Sequence, residues 1–191
     1  VKIVSNQKDN QQEIPTEGEI AWLAGIIECD GTVSLSCYVR DEKHSKPKIG
    51  TEIKFYNTDG GIVMKVVDIL QRLGLSHYVS ERAQKPIDLA NGKKYGDKTK
   101  PMISVAVKNL KDAYLLSKLI HPWMYGEKRQ RVSLIIQYLA RRLEKIELSN
   151  GNRRTPLDKG DCEIVVDFYK RFVKRPGHNR HLVEAILNDF T

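Results

Sequence analysis

Apolar and polar positions change their period several times along this chain, and each change marks an element. From residue 17 the spacing is helical, with Ile20, Leu23, Ala24 and Ile27 on one face. Thr16 is placed to cap that helix, and Glu19 to complete a capping box. At Thr32 the period drops to two. Val33, Leu35, Cys37 and Val39 alternate with Thr32, Ser34, Ser36, Tyr38 and Arg40. After a charged loop over 41–47, Ile49, Thr51, Ile53 and Phe55 alternate with Lys48, Glu52, Lys54 and Tyr56. The two runs predict an antiparallel hairpin with one apolar and one wet face.

Asn57-Thr58-Asp59 then predicts a helix cap. Ile62, Val63, Val66, Ile69, Leu70 and Leu73 predict an amphipathic helix that stops at Gly74. A third strand is expected over 78–85, with Tyr78, Ser80, Arg82 and Gln84 on its polar face. A Gly/Lys-rich loop over 86–100 leads to a fourth strand, with Ile103, Val105 and Val107 inward and Ser104, Ala106 and Lys108 outward. Helices follow over 110–120 and 127–147. The second sets Val132, Ile135, Ile136 and Leu139 beside a basic face of Arg131, Arg141, Arg142 and Lys145.

This order predicts an α+β domain with helices on one face of a four-stranded antiparallel sheet. Residues 1–15 read as a flexible polar arm and 16–148 as the main domain. Residues 149–191 read as a small helical C-terminal extension, with helices over 161–173 and 178–190.

Composition adds a partner class. Lys and Arg number 32 against 24 Asp and Glu, a net charge of +8, which favours a polyanion and above all nucleic acid. Three cysteines without CxxC spacing fit neither a disulfide framework nor a zinc site. No apolar run is long enough to span a membrane, and the first residues hold no apolar signal core. The expectation is a soluble intracellular protein, cytoplasmic or organellar.

Glu28 and Asp30 stand out at the end of the first helix. Carboxylates at a helix C-terminus oppose the macrodipole, at about 0.3–1 kcal/mol each. Taken locally, Asp30-Gly31 is a turn with Gly31 at positive φ. The same helix holds Ala21 and Gly25 four apart, with Ala24 beside them. Glycine inside a helix costs about 1 kcal/mol against alanine. That cost is tolerable where another backbone must come close, so the helix is expected to pack on a copy of itself. Acids so placed on a basic chain have a use if they hold a divalent metal next to a phosphodiester.

The run Leu23-Ala24-Gly25-Ile26-Ile27-Glu28-Cys29-Asp30-Gly31 resembles the signature of the LAGLIDADG homing endonucleases. Six of its nine positions are identical, and Ile26, Glu28 and Cys29 depart. The resemblance spans about residues 16–147 and implies an αββαββα saddle whose sheets lie along the DNA major groove. Members with one signature act as homodimers on near-palindromic sites, so it implies a homodimer on double-stranded DNA. It implies a site-specific endonuclease that makes a metal-dependent double-strand break, with Mg²⁺ or another divalent cation such as Mn²⁺.

By the same resemblance Asp30 is the metal ligand, with Cys29 offering its backbone carbonyl and Glu28 supporting the helix end. Lys108 matches a basic position that lines the family's catalytic pocket. Thr58, or its neighbour Asn57, stands about where the family often has a polar residue holding water. DNA would be read by Ser34, Ser36, Tyr38, Arg40, Lys48, Glu52, Lys54, Tyr56, Ser80, Arg82 and Gln84. Arg and Lys suit guanine, Gln adenine, and Glu the cytosine amino group. Arg141 and Arg142 are expected on phosphates. Two alternatives stay open. One is a non-cleaving nucleic-acid-binding protein on the same scaffold, an intron RNA maturase or a transcription regulator. The other is an unrelated α+β scaffold with a basic surface.

Overall fold

Thr16 opens the first helix, α1 (Glu17–Asp30), with both halves of the expected capping box. Its hydroxyl accepts from the Glu19 amide at 3.3 Å, and the Glu19 carboxylate accepts from the Thr16 amide at 2.9 Å. The computed structural model describes residues 13–38, 48–83, 87–88, 94–95, 100–152, 155–173 and 182. Most of the expected arm, the expected helix over 178–190 except residue 182, and the candidates Arg40 and Gln84 lie outside these residues.

α1 runs into β1 (Gly31–Tyr38) with no intervening loop. Gly31 is extended, at φ −99° and ψ 167°, and its amide donates to the Ile27 carbonyl. A Cβ at Gly31 would lie 2.6 Å from that carbonyl oxygen. The turn reading of Asp30-Gly31 is therefore corrected. Glycine serves close approach here, because the strand leaves across the last turn of its own helix.

β1 pairs with β2 (Lys48–Asn57) from Gly31↔Phe55 to Tyr38↔Lys48. Asp59 caps α2 (Gly60–Arg72), whose end is folded back by Gly74 at φ +67°. β3 (Tyr78–Arg82), β4 (Ile87–Asp88), β5 (Lys94–Tyr95) and β6 (Met102–Val107) follow. The main sheet has the order β1-β2-β6-β3, antiparallel throughout. The stretch expected as a loop carries the small β4–β5 ladder, which is too short to show a period in sequence.

Asn109 caps α3 (Leu110–Ile120), a 3₁₀ turn covers His121–Trp123, and α4 (Gly126–Leu148) and α5 (Lys159–Phe172) complete the chain's described helices. The inward residues of the sheet and buried residues from all five helices form one core cluster. Cys37 and Cys162 belong to it, and burial pushes both thiols up to about 11, leaving them protonated and unreactive. No helix among the described residues is long and apolar enough to cross a membrane.

α5 is fastened to α4 by charge, and this corrects the expected phosphate contacts. Arg142 is 7% exposed and Asp161 0% exposed. The Arg142 guanidinium donates to Asp161 at 3.2 Å, to the Pro156 carbonyl at 3.0 Å and to the Thr155 carbonyl at 2.7 Å. Arg141 donates to both Asp158 oxygens at 3.2 Å, and Lys145 bridges Asp158 and Asp161. Arg131 pairs with Glu127 and lies 5.0 Å over the Phe172 ring. Arg141, Arg142 and Lys145 of α4 thus meet acids that cap the N-terminus of α5, where negative charge also suits the helix dipole. At the other end of α5, the Tyr169 hydroxyl accepts from the Cys37 amide at 2.9 Å, which satisfies a donor on the edge strand β1.

Candidate functional site

Strand alternation puts Val33, Leu35, Ile53, Phe55, Val105 and Val107 under the helices and, among the described residues, leaves the opposite face of the main sheet open. Register orders that face into rows. Thr32, Lys54, Ala106 and Tyr78 stand in one row, and Tyr56, Ser104 and Ser80 in the next. Ser34 opposes Glu52, Ser36 opposes Gly50, Tyr38 opposes Lys48, and Arg82 opposes Met102. Every reading candidate among the described residues therefore shares this face: Ser34, Ser36, Tyr38, Lys48, Glu52, Lys54, Tyr56, Ser80 and Arg82.

The face is preorganised in places. The Lys54 ammonium lies 4.9 Å from the Tyr56 ring centroid, and the Ser80 and Ser104 hydroxyls are 2.8 Å apart. Ser36 donates to the Gly50 carbonyl at 3.4 Å. A Cβ at Gly50 would come within 3.1 Å of the Tyr38 ring, so glycine makes the space in which that ring lies. Ser104 and Ala106 point to this face yet are buried, because β6 is an inner strand shielded on both sides. Tyr78 at 59% and Tyr38 at 42% exposure stand free at the margins. Cations, hydroxyls, an acid and ring faces at two-residue spacing are the groups that read base edges in a groove.

Asp30 lies where α1 meets this sheet, and its carboxylate is exposed. The Asn57 side-chain amide donates to it at 3.3 Å, and the Asn57 oxygen accepts from the Asp59 amide at 2.8 Å, fixing the amide's orientation. Thr58 is exposed and does not take this place. Pairing of Gly31 with Phe55 carries β2 past the start of β1, so residue 57 is the one that arrives beside the helix end. Lys108 is not brought to Asp30 either. Its ammonium forms a 2.9 Å ion pair with Glu52 on the open face.

Glu28 turns toward the start of α4 and accepts from the Tyr125 amide at 3.3 Å. Lys128, which sequence reasoning missed, reaches the last turn of α1. It donates to the carbonyls of Ile27 at 3.0 Å, Glu28, and Cys29 at 3.5 Å. The only trace of it in the sequence is that α1 has no basic residue in its own last turn.

On the outer side of α1, Gly25 is exposed and Ala21 half-buried. A Cβ at Gly25 would meet nothing within 4 Å, so the protomer's own packing does not require glycine there. Ala24 is 0% exposed and belongs to the protomer core, which removes it from any self-packing face.

Among the described residues no three His, Cys, Asp or Glu side chains gather into a metal cage. The helix end offers instead the exposed Asp30 carboxylate and the neighbouring Cys29 carbonyl, both oxygen donors. Such a donor set fits a hard cation that keeps several waters, and Mg²⁺ is of that kind.

No protein-family profile matches the sequence, and no curated protein matches it. Solved structures do match the fold. The homing endonuclease I-CvuI, solved with its target in the presence of calcium, aligns over 91% of this chain and 94% of its own at 16% identity and a TM-score of 0.56. The group I intron-encoded homing endonuclease I-CeuI, complexed with DNA, aligns over 92% of this chain and 77% of its own at 13% identity and a TM-score of 0.57. The archaeal intron-encoded homing endonuclease I-Vdi141I, complexed with DNA, aligns over 91% of this chain and 96% of its own at 16% identity and a TM-score of 0.59.

Proposed function

We propose that this chain, which has the fold of the LAGLIDADG homing endonucleases and one copy of their signature, is a site-specific DNA endonuclease. In this reading it acts as a homodimer and makes a double-strand break in a long, near-palindromic target. The observation that carries the proposal is the junction of α1 with the sheet. An exposed carboxylate, held by Asn57, stands at the rim of an open face studded with base-reading groups.

Asp30 and the Cys29 carbonyl would hold the divalent ion, Mg²⁺ or Mn²⁺. When bound, the ion supplies charge neutralisation at the phosphodiester and activation of water. Asn57 fixes the Asp30 carboxylate, and Glu28 ties the helix end to α4 through the Tyr125 amide. Lys108 becomes available to the reacting phosphate when DNA displaces Glu52 from it. Lys48, Lys54 and Arg82 suit guanine, Glu52 suits cytosine, and the serines and tyrosines of the rows fill the remaining contacts. Arg40 and Gln84 keep this role on sequence grounds alone. Two copies would meet along the outer side of α1, at Ala21 and Gly25.

A second reading has one observation in its favour. Lys108 is tied to Glu52 rather than standing beside Asp30, as a non-cleaving DNA- or RNA-binding protein on this scaffold would allow. Selection of cleaved sites from a randomised duplex library with magnesium separates the two. The expected outcome is enrichment of one near-palindromic site, with no product in excess chelator. Binding without any cut product favours the second reading, and cutting that persists in chelator removes the metal from the proposal. Gly25→Leu is expected to convert a dimer to a monomer in light scattering, since the new side chain meets nothing within the protomer and blocks close approach of a second helix. A dimer that survives this change would move the interface away from α1.

A further inference from the structure

The C-terminal end of α1 carries more negative charge than its fold requires. Of its last carbonyls only that of Ile27 accepts from the following backbone, at the Gly31 amide, and those after it lack intrahelical partners. The dipole adds about half a negative charge, and Glu28 and Asp30 stand on the same turn. No basic residue of α1 offsets them. The offset comes from Lys128, in the first turn of α4. Its ammonium has three donors, and the carbonyls of Ile27, Glu28 and Cys29 supply three acceptors. A cation in the first turn of a helix works against its own helix's dipole. Lys128 therefore sits where it serves α1 at the expense of α4. The adjacent Tyr125 amide takes the Glu28 carboxylate, so the start of α4 addresses the end of α1 at two points.

We propose that Lys128 is a resident counter-cation for the carboxylate end of α1, which lets two copies of that helix close on each other before any divalent ion arrives. The inference rests on the dimer reading above. In such a dimer the two Asp30 side chains approach across the two-fold axis, with the two helix C-termini and the Glu28 carboxylates, each held against α4 by the Tyr125 amide, behind them. Two Lys128 ammonium groups at the same ends cancel much of that repulsion, and they bond to backbone oxygens, at 3.5 Å to the Cys29 carbonyl proposed above as a metal ligand, rather than to the Asp30 carboxylates. Asp30 stays free for its metal, and assembly does not depend on metal. Lys128 is a positioning residue in this scheme and takes no part in the chemistry.

Sedimentation velocity of the full chain without DNA, in chelator and in calcium, tests this. Wild type is expected to be a dimer in both, with a dissociation constant that differs by less than about threefold. Lys128→Met is expected to weaken the dimer about tenfold in chelator and to recover in calcium. Lys128→Arg is expected to behave as wild type, and adding Glu28→Gln to Lys128→Met is expected to restore the dimer in chelator. An unchanged Lys128→Met dimer in chelator overturns the inference. So does weakening that neither calcium nor Glu28→Gln relieves. If Lys128→Met does not fold by circular dichroism, the wild-type titration decides alone, and a dimer that forms only in calcium overturns the inference. A wild type that is monomeric in both buffers overturns the dimer reading itself.

Discussion

Asp30→Asn is expected to lower cleavage of the selected target about a thousandfold or more, while DNA affinity stays within about threefold. The substitution keeps size and shape, and the new side-chain oxygen can still accept from Asn57 at the position where Asp30 does so at 3.3 Å. What it removes is the negative charge that a hard cation requires of its protein ligand. The groups proposed to read DNA lie along the sheet, in rows that Asp30 does not enter, so binding has no reason to weaken. Single-turnover cleavage and fluorescence anisotropy on one duplex separate the two effects. A variant that cuts within tenfold of wild type would take Asp30 out of the chemistry. A variant that loses binding with cutting would make the residue structural.

The second large effect concerns stability. Asp161→Ala is expected to destabilise the fold by about 3–5 kcal/mol, because removing one partner of a buried ion cluster leaves the others without compensation. Asp161 is fully buried, and Arg142, which donates to it at 3.2 Å, is 7% exposed. Lys145 loses the same partner. Urea unfolding followed by circular dichroism measures the change. The pair Asp161→Leu with Arg142→Met should recover much of it, since no uncompensated charge then remains between these two positions. A loss below about 1 kcal/mol for Asp161→Ala would show that water reaches the cluster freely.

The neighbouring Asp158 adds an acid limit. Burial acts to raise its carboxyl, but hydrogen bonds from Lys145, the Asp161 amide and Arg141 outweigh it and hold the group at about 2. A folded value below the unfolded one means that its contribution is complete above about pH 4. That contribution is lost as pH falls toward 2, and the α4–α5 junction is expected to loosen over that window.

Residues 141, 142 and 145 also show where sequence reasoning reaches its limit. A helical wheel marks them as a basic face, but it cannot distinguish a face open to phosphate from one closed by acids on a later helix. Asp158 and Asp161 decide that, and they meet α4 only because α5 folds back on it. Ala24 and Gly25 differ by one position, yet one is core and the other open. Small size alone does not say which side of a helix faces inward. Asn57 and Thr58 are equally polar neighbours, and the register of β1 with β2 chooses between them.

By itself the sequence determined the order of the main helices and of the four strands of the main sheet, the caps at Thr16 and Asp59, the inward and outward strand positions, and Asp30 as the final residue of the first helix. These follow from periods and caps that act over a few residues. Only the tertiary structure decided that Glu52 holds Lys108, that Lys128 serves a helix about 100 residues away in sequence, and that Arg141 and Arg142 of α4 are bound to acids of the chain's own fold. Charges pair with whatever the folded chain brings near them, and that proximity is a property of packing which no local spacing carries.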